Sequence, residues 1–419
     1  MIEYGNIDLS KVIYNQRIEK GMTQENLANG ICSISYLSKL ENKQLDPSKE
    51  ILALLLDKLD IEIKDFLEDH KYFEVRIDKL NQAIIRKDIN GSKGIYDELN
   101  YMVGSIKDPE YICAFNLIKV KYLLTNNLLE EAKRTIDFIS TFHSKRSLKH
   151  NIQFLHLSGI YYCRLKEYLK GLDLLKKAEV LSNKHNLSLA EISYHIALTY
   201  SLTYNTTLAI YYAQKALKLN YEEMNYLRCL DCELIIGMNF VRIKSYTKAE
   251  STYLNILAQA ETLEQKELKA TVLHNLGFLY YKVRDYQKAK FYYIKSLDNK
   301  EPNSTPYQNT IIYLCETLIK TSQDTEATFW LGTIEENNYD DEYYHLFQLM
   351  KLKIKDHESY IEYCERKVFP FFISVSNVDS ILKYGEELAN HYSSKKMYKK
   401  TSDVYKKMLG IIKKIYREA

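Results

Sequence analysis

Three basic side chains recur at one position of a repeating pattern that follows the N-terminal region. Counting five residues from the small residue that marks each copy gives Arg164, Arg242 and Lys282. Guanidinium and ammonium groups bind carboxylates through charge-assisted hydrogen bonds, so a row of them predicts a surface for a peptide carboxylate. Ordinary solvated side chains of a helix are the alternative.

Two asparagines lie close to the same small residues. Asn239 follows Gly237 by two positions, and Asn275 precedes Gly277 by two. An amide both donates and accepts, so it can pair with the N–H and C=O groups of an extended peptide. The full predicted peptide-binding set is Arg164, Asn239, Arg242, His274, Asn275, Phe278, Tyr281 and Lys282.

A second group of polar residues lies near the N-terminus. Ser33, Ser35, Tyr36 and Lys39 occupy the first turns of a predicted helix, and Gln24 opens the short helix before it. In helix-turn-helix proteins the first turns of the second helix enter the major groove, and a side chain at a helix start can donate to a phosphate. These five residues are therefore the predicted contacts to double-stranded DNA.

The remaining reactive side chains form no recognisable site. Cys229 and Cys232 make a lone C-x-x-C in a helical setting, and without a second pair we expect buried thiols rather than a metal site. The sequence has no H-E-x-x-H, Walker or G-x-G-x-x-G motif. We therefore expect no metal, no cofactor and no enzymatic activity.

The N-terminal candidates need short helices to position them. A helix is predicted over residues 9–20 with Gly21 as its stop, then a short helix capped by Thr23. A third helix is predicted over about 34–42, capped by Ser33, with Leu37 and Leu40 facing inward. Asp46 is the predicted N-cap of a fourth helix, from about Ser48 to Leu59. Residues 1–67 carry eight Lys and Arg against eleven Asp and Glu, a net charge of −3. A single copy should therefore bind DNA weakly, and a dimer reading two half-sites is expected.

The rest of the chain is a helical repeat. Gly277, Tyr280, Tyr286, Ala289 and Tyr293 follow the tetratricopeptide order of a small residue, an aromatic, a Tyr near the turn, an Ala and an aromatic. Copies marked by the small residues at 159, 197, 237 and 277 are 38, 40 and 40 residues apart. The predicted fold is all-α, with a helix-turn-helix followed by a right-handed superhelix of about nine such helix pairs.

The composition agrees with this prediction. Only 13 Gly and 5 Pro occur in 419 residues, too few for the many turns of an all-β fold. Tyr is unusually common, with 37 copies against 14 Phe and 1 Trp, as expected if rings fill the gap beside small residues. No apolar run approaches the length of a bilayer span and no signal peptide is recognised, so the protein is expected to be cytoplasmic, with no membrane partner.

Residues 17–42 resemble the Cro/C1-type helix-turn-helix. The resemblance rests on Arg17-x-x-x-Gly21-Met-Thr-Gln-x-x-Leu27-Ala28 and Ser35-Tyr-Leu-Ser-Lys-Leu-Glu41-Asn42. Joined to tetratricopeptide repeats, this domain is similar to the RRNPP family of peptide-pheromone-sensing regulators. The expected domains are 1–67 for DNA binding and 68–419 for peptide sensing and oligomerisation.

The resemblance implies a cytoplasmic quorum-sensing transcription regulator. A short signalling peptide would bind in the repeat groove, with Asn275 as the groove asparagine and Asn239 as its companion. Binding would change the oligomeric state, from a homodimer or a higher oligomer, and would change DNA binding. The alternative is a Rap-like protein that sequesters or dephosphorylates a response regulator of the sporulation phosphorelay, as a second activity of the peptide-free form.

Overall fold

The computed structural model describes residues 9–417 apart from 62, 87, 105, 107, 142–145 and 335–340. Every regular element in these residues is a helix, so the all-α prediction is confirmed. Internal contacts divide the chain into two compact units, Met1–Tyr161 and Tyr162–Ala419. The domain boundary expected near residue 67 stays a prediction.

Four short helices open the first unit, as the sequence predicts. They are α1 Leu9–Glu19, α2 Gln24–Ala28, α3 Ile34–Glu41 and α4 Lys49–Lys58. Thr23 and Ser33 cap α2 and α3 by accepting from the N–H groups of Asn26 and Tyr36 at 3.0 and 3.1 Å. The predicted cap at Asp46 is wrong: Ser48 caps α4, because its hydroxyl lies within reach of the Ile51 N–H.

These helices enclose a small core of their own. Leu37 and Leu40 of α3 are fully buried, as predicted for its inward face. They pack with Leu27 of α2, Ile13 of α1 and Leu55 of α4. The opposite face of α3 is thereby left toward solvent.

Within the described residues, the remaining helices follow one another along the chain in nine pairs, in agreement with the predicted number, although the eighth pair is broken by a π-helical turn. The first unit continues with α5 Ile63–Ile85, α6 Ile89–Met102, α7 Pro109–Thr125, α8 Leu129–Ser140 and α9 Leu148–Arg164, the last of which reaches the boundary. The second unit holds α10 Tyr168–Lys184, α11 Ala190–Leu202, α12 Thr206–Glu222, α13 Tyr226–Arg242, α14 Tyr246–Thr262, α15 Lys266–Lys282, α16 Tyr286–Leu297, α17 Thr305–Lys320, α18 Asp324–Gly332, α19 Asp341–Lys355, α20 His357–Tyr363, a π-helical turn Cys364–Val368, α21 Phe369–Ser374, α22 Val378–Ser394 and α23 Tyr398–Arg417.

Two of the small residues that mark the repeat are contacts for tyrosine rings. A Cβ added at Gly237 would lie 2.6 Å from the ring of Tyr253, and one added at Gly277 would lie 2.6 Å from the ring of Tyr293. Both rings are fully buried in the core of the second unit. Glycine is therefore needed here for close approach of two helices rather than for a turn.

The turns themselves use other residue types. Among the residues that the structure describes, fourteen non-glycine residues have a positive φ, most of them just after a helix end where Gly is usually preferred. Tyr204, with φ of 62°, is the aromatic one among them. The scarcity of Gly thus reflects tolerated left-handed residues as well as short connections.

Within the described part of the chain, no helix combines the length and the apolar character that crossing a membrane requires.

Candidate functional site

The predicted DNA contacts lie on or beside α2 and α3 in the first unit. Ser35 and Lys39 are exposed, and Tyr36 is half-buried. Ser33 is exposed as well, although its hydroxyl already accepts the cap hydrogen bond. The start of α3 therefore presents short polar side chains and one cation toward solvent, as reading a major groove requires.

Gln24 is positioned by a buried ion pair. Arg17 of α1 binds Glu41 of α3 with both branches of its guanidinium, Nε to Oε1 at 2.6 Å and Nη2 to Oε2 at 2.9 Å. The Gln24 Nε2 donates to the same Oε2 at 2.7 Å. The hydrogen bond to Glu41 raises the pKa of Arg17. Gln24 is therefore anchored to α3, which fixes α2 against the helix that would read the bases.

In the second unit, Asn239 and Arg242 form one polar cluster with the end of α11. Asn239 is fully buried, and its Nδ2 donates to Ser201 Oγ at 2.9 Å and to the Ile235 carbonyl at 2.8 Å. Arg242 Nη1 donates to the Ser201 carbonyl, to Ser201 Oγ at 3.1 Å and to Asn239 Oδ1 at 3.5 Å. Its guanidinium carbon lies 4.2 Å from the centre of the Tyr204 ring. Asn239 thus supports Arg242 from the protein interior, by contacting both the guanidinium and Ser201.

Asn275, one helix pair further on, is arranged in the opposite way. Its side chain is half-buried, and its Nδ2 atom is buried without any hydrogen-bond partner. A buried amide donor without an acceptor costs about 1–3 kcal/mol. Since rotation about the Cβ–Cγ bond exchanges the positions of the amide nitrogen and oxygen, this group is available for a ligand backbone.

His274 supports the same place from the interior. Its Nδ1 lies 3.0 Å from Thr310 Oγ1, and its ring packs against Tyr293 and Tyr313. Burial, with a smaller contribution from the charge of Lys300, lowers the pKa of His274 to about 3. The ring is therefore neutral at physiological pH and helps to fix α15 against α17.

Phe278, Tyr281 and Lys282 continue along α15. Phe278 meets the ring of Tyr313 edge-on at 5.5 Å, and the Lys282 Nζ lies 5.1 Å from the centre of the Phe278 ring. Burial raises the pKa of the Tyr281 phenol, and Glu316 adds to this shift. These residues give α15 an aromatic surface that ends in a cation.

Charges of both signs surround Lys282. Its side chain is exposed, and no carboxylate of the described residues lies within 4 Å of its Nζ. Desolvation lowers the pKa of Lys282, as does Lys383 of α22, while Glu316 and Glu386 oppose this. Lys383 itself pairs with the buried Glu316 of α17. Helix α22 therefore lies opposite the ends of α15 and α17.

The same helix also reaches α13. Asp379, in the first turn of α22, places its Oδ2 3.5 Å from Nη2 of Arg242. The predicted residues of α13 and α15 are thus gathered along one wall, with charged residues of α22 facing it. Arg164 is exposed at the end of α9, and none of the hydrogen bonds or ion pairs found among the described residues joins it to this group.

Sequence reasoning missed four residues of this arrangement: Ser201, Tyr204, Asp379 and Lys383. Ser201 and Tyr204 lie near the end of the helix of the preceding repeat, so the repeat pattern could have pointed to them. Asp379 is 137 residues from Arg242 and belongs to no motif. No sequence signal places it there.

Known proteins resemble the chain in both parts. The helix-turn-helix family matches residues 13–66, and the tetratricopeptide repeat family matches residues 233–301. Transcriptional activator NprA of Geobacillus stearothermophilus is 25% identical over 410 residues, which are 92% of this chain and 99% of NprA.

Solved structures show the same fold. NprR in complex with its cognate peptide NprX is 23% identical, with a TM-score of 0.63, over 81% of this chain and 99% of that one. A Rap protein complexed with competence and sporulation factor is 19% identical, with a TM-score of 0.69, over 83% and 99%. These structures share the fold of this chain over about four fifths of its length.

Proposed function

We propose that the chain is an RRNPP-family regulator similar to NprR, a quorum-sensing transcription regulator controlled by a short signalling peptide. Its helix-turn-helix and tetratricopeptide matches and its likeness to NprA along most of the chain support this. The resemblance to this family, drawn from the sequence, is confirmed. The second unit would bind the peptide along the wall formed by α13 and α15. The helix-turn-helix would bind an operator.

The unpartnered amide of Asn275 carries the peptide proposal. Its buried Nδ2 has no acceptor in the chain, whereas the fully buried Asn239 has all its hydrogen bonds satisfied. A peptide carbonyl would relieve this cost, and the amide oxygen would accept a peptide N–H. Phe278, Tyr281 and His274 would shape the floor, while Arg242 and Lys282 would hold a carboxylate.

DNA binding is proposed for the exposed start of α3. Gln24, Ser33, Ser35, Tyr36 and Lys39 would contact the operator, with Gln24 aligned by Glu41. Because the N-terminal region has a net charge of −3, a dimer on two half-sites is the expected binding species. The peptide would act by favouring one arrangement of the two copies over another.

The test uses the full chain and short linear peptides selected from a random library. Selected peptides should bind the wild-type protein in isothermal titration and should change its mobility shift on a palindromic operator library. Asn275→Ala should bind them at least tenfold more weakly while keeping its helical circular dichroism. A failure to select any peptide, or equal affinity in Asn275→Ala, would overturn the peptide proposal.

A second candidate function follows from the likeness to Rap proteins. The tetratricopeptide repeats would bind a response regulator when no peptide is present. Deletion of residues 1–67 separates the two functions, since it removes every predicted DNA contact. Retained binding of a response regulator by the shortened chain would favour this candidate, whereas loss of that binding would count against it.

A further inference from the structure

Arg242 is held as a fixed cation before any ligand arrives. The two N–H groups of Nη1 lie within reach of three acceptors, two atoms of Ser201 and Asn239 Oδ1. These contacts and the ring of Tyr204 beside the guanidinium restrict the orientation of Arg242. An arginine that is ordered in advance loses little further entropy when it binds a carboxylate. Its Nη2 side is left facing α22.

The group that faces Nη2 is an internal carboxylate in poor geometry. Asp379 Oδ2 makes a single contact at 3.5 Å, longer than the roughly 2.7–2.9 Å of a good charge-assisted hydrogen bond. The Asp379 side chain is 64% exposed. Surrounding protein still desolvates this carboxyl and raises its pKa to about 6. A water-accessible group that is also closely surrounded by protein is what the wall of a groove presents.

We propose that Asp379 is an internal competitor that occupies the carboxylate subsite of Arg242 and is displaced by a carboxylate of the bound peptide. This inference rests on the proposed peptide-binding function. The incoming carboxylate, from an acidic side chain or from the peptide C-terminus, would bind the guanidinium with two hydrogen bonds in place of one. Release of Asp379 would free α22 from α13, so occupancy of the groove would be coupled to the position of the C-terminal helices.

The decisive experiment measures peptide affinity in a double-mutant cycle on the full chain. The probe is a synthetic peptide selected from a random library against the wild-type protein. Asp379→Asn should bind this peptide about two- to fivefold more tightly, because an exposed ion pair of this kind contributes little stability but must be broken. Arg242→Gln should bind it roughly tenfold more weakly, and adding Asp379→Asn to that variant should then have no effect.

Asp173→Asn is the matched control. It removes the same charge from an exposed ion pair with Lys177 on α10, away from the wall of α13 and α15. Its peptide affinity should equal that of the wild type. If Arg242→Gln fails to fold, Arg242→Lys keeps the charge without the planar fork and should lose about threefold in affinity.

The source of the carboxylate is settled by changing the peptide. A C-terminal amide removes the terminal charge, and replacing each acidic side chain by its amide removes the others in turn. The peptide that binds wild type and Asp379→Asn with equal affinity lacks the carboxylate that binds Arg242, and so identifies that group. Wild-type binding with equal affinity in Asp379→Asn would overturn the competitor role alone, whereas absence of any peptide binding would overturn the proposed function itself.

Discussion

The helix pair α13–α14 and the pair α15–α16 are successive copies of one repeat, yet they treat their polar groups differently. Both use a glycine against a tyrosine ring, and both end their first helix in a cation. In the first pair the asparagine and the cation satisfy each other. In the second pair the asparagine lacks a partner, and the cation has no carboxylate within 4 Å among the described residues.

Residues at equal positions show how this difference arises. Ile235 in α13 corresponds to Asn275 in α15, and Leu234 corresponds to His274. An apolar residue has been replaced by a polar one at the place where a ligand would lie. Cores rarely keep such groups unpaired, so a buried amide nitrogen without a partner is a candidate for function rather than for stability.

The largest effect is expected where the two pairs are alike. Gly277→Ala and Gly237→Ala should each destabilise the chain by about 1–3 kcal/mol, because the added Cβ meets a buried tyrosine ring at 2.6 Å. The midpoint of urea denaturation, followed by circular dichroism, measures this. Gly410→Ala is the control, because nothing lies within 4 Å of its added Cβ. Equal midpoints for all three variants would show that these glycines are not packing contacts.

Exchanging residues between the copies should separate the roles of the two asparagines. Asn275→Ile carries the residue found at position 235, so it should weaken peptide binding tenfold or more. It should also raise the free energy of unfolding by about 1 kcal/mol, since it removes an unsatisfied donor. Asn239→Leu carries the residue found at position 279 and should lower stability by about 1–2 kcal/mol, since it breaks the bonds to Ser201 and Arg242. Titration calorimetry measures the peptide affinity of both variants, and urea denaturation measures their stability. Equal changes of affinity and stability in the two variants would show that the two asparagines do not have different roles.

His274 should make the second pair sensitive to acid. The folded pKa of about 3 lies below the value of about 6.5 in the unfolded chain, so the unfolded state takes up a proton first as the pH falls. The resulting loss of stability, about 2 kcal/mol between pH 7.5 and pH 5, should disappear in His274→Leu, the residue found at position 234. Urea denaturation at both pH values measures the difference, and an equal loss in wild type and variant would contradict it.

The smallest effect concerns the two cations. Lys282→Gln should weaken peptide binding by less than about threefold, compared with roughly tenfold for Arg242→Gln, because Lys282 is exposed and flexible while Arg242 is held by Ser201 and Asn239. Titration of one selected peptide against both variants compares them. A larger loss for Lys282→Gln would reverse the proposed order of the two subsites.

Local signals explain how much of the structure the sequence could predict. The caps at Thr23 and Ser33, the stop at Gly21 and the inward Leu37 are set by neighbours a few residues away, and they were predicted correctly. The cap at Asp46 was not, because two adjacent candidates, Asp46 and Ser48, compete and the backbone decides between them. The number of helix pairs followed from the clear copies of the repeat together with weaker copies between and beside them.

Hydrogen-bond satisfaction could not be predicted in this way. Asn239 and Asn275 look alike beside their glycines, and only the position of Ser201, on the preceding helix pair, makes one of them a support and leaves the other unpaired. Asp379 comes to Arg242 from 137 residues away. Contacts of this kind depend on how the helix pairs stack, and no local pattern records them.

The all-helical fold, the helix-turn-helix, the repeat and its anchoring residues can be predicted from the sequence, because each rests on periodicity and on contacts within one helix pair. Which polar groups are paired, which cation is fixed and which carboxylate faces it depend on how distant helices pack. The physical reason is that a hydrogen bond needs its partner within about 3 Å. In a repeat protein that partner lies on a neighbouring pair or on a distant helix brought opposite to it.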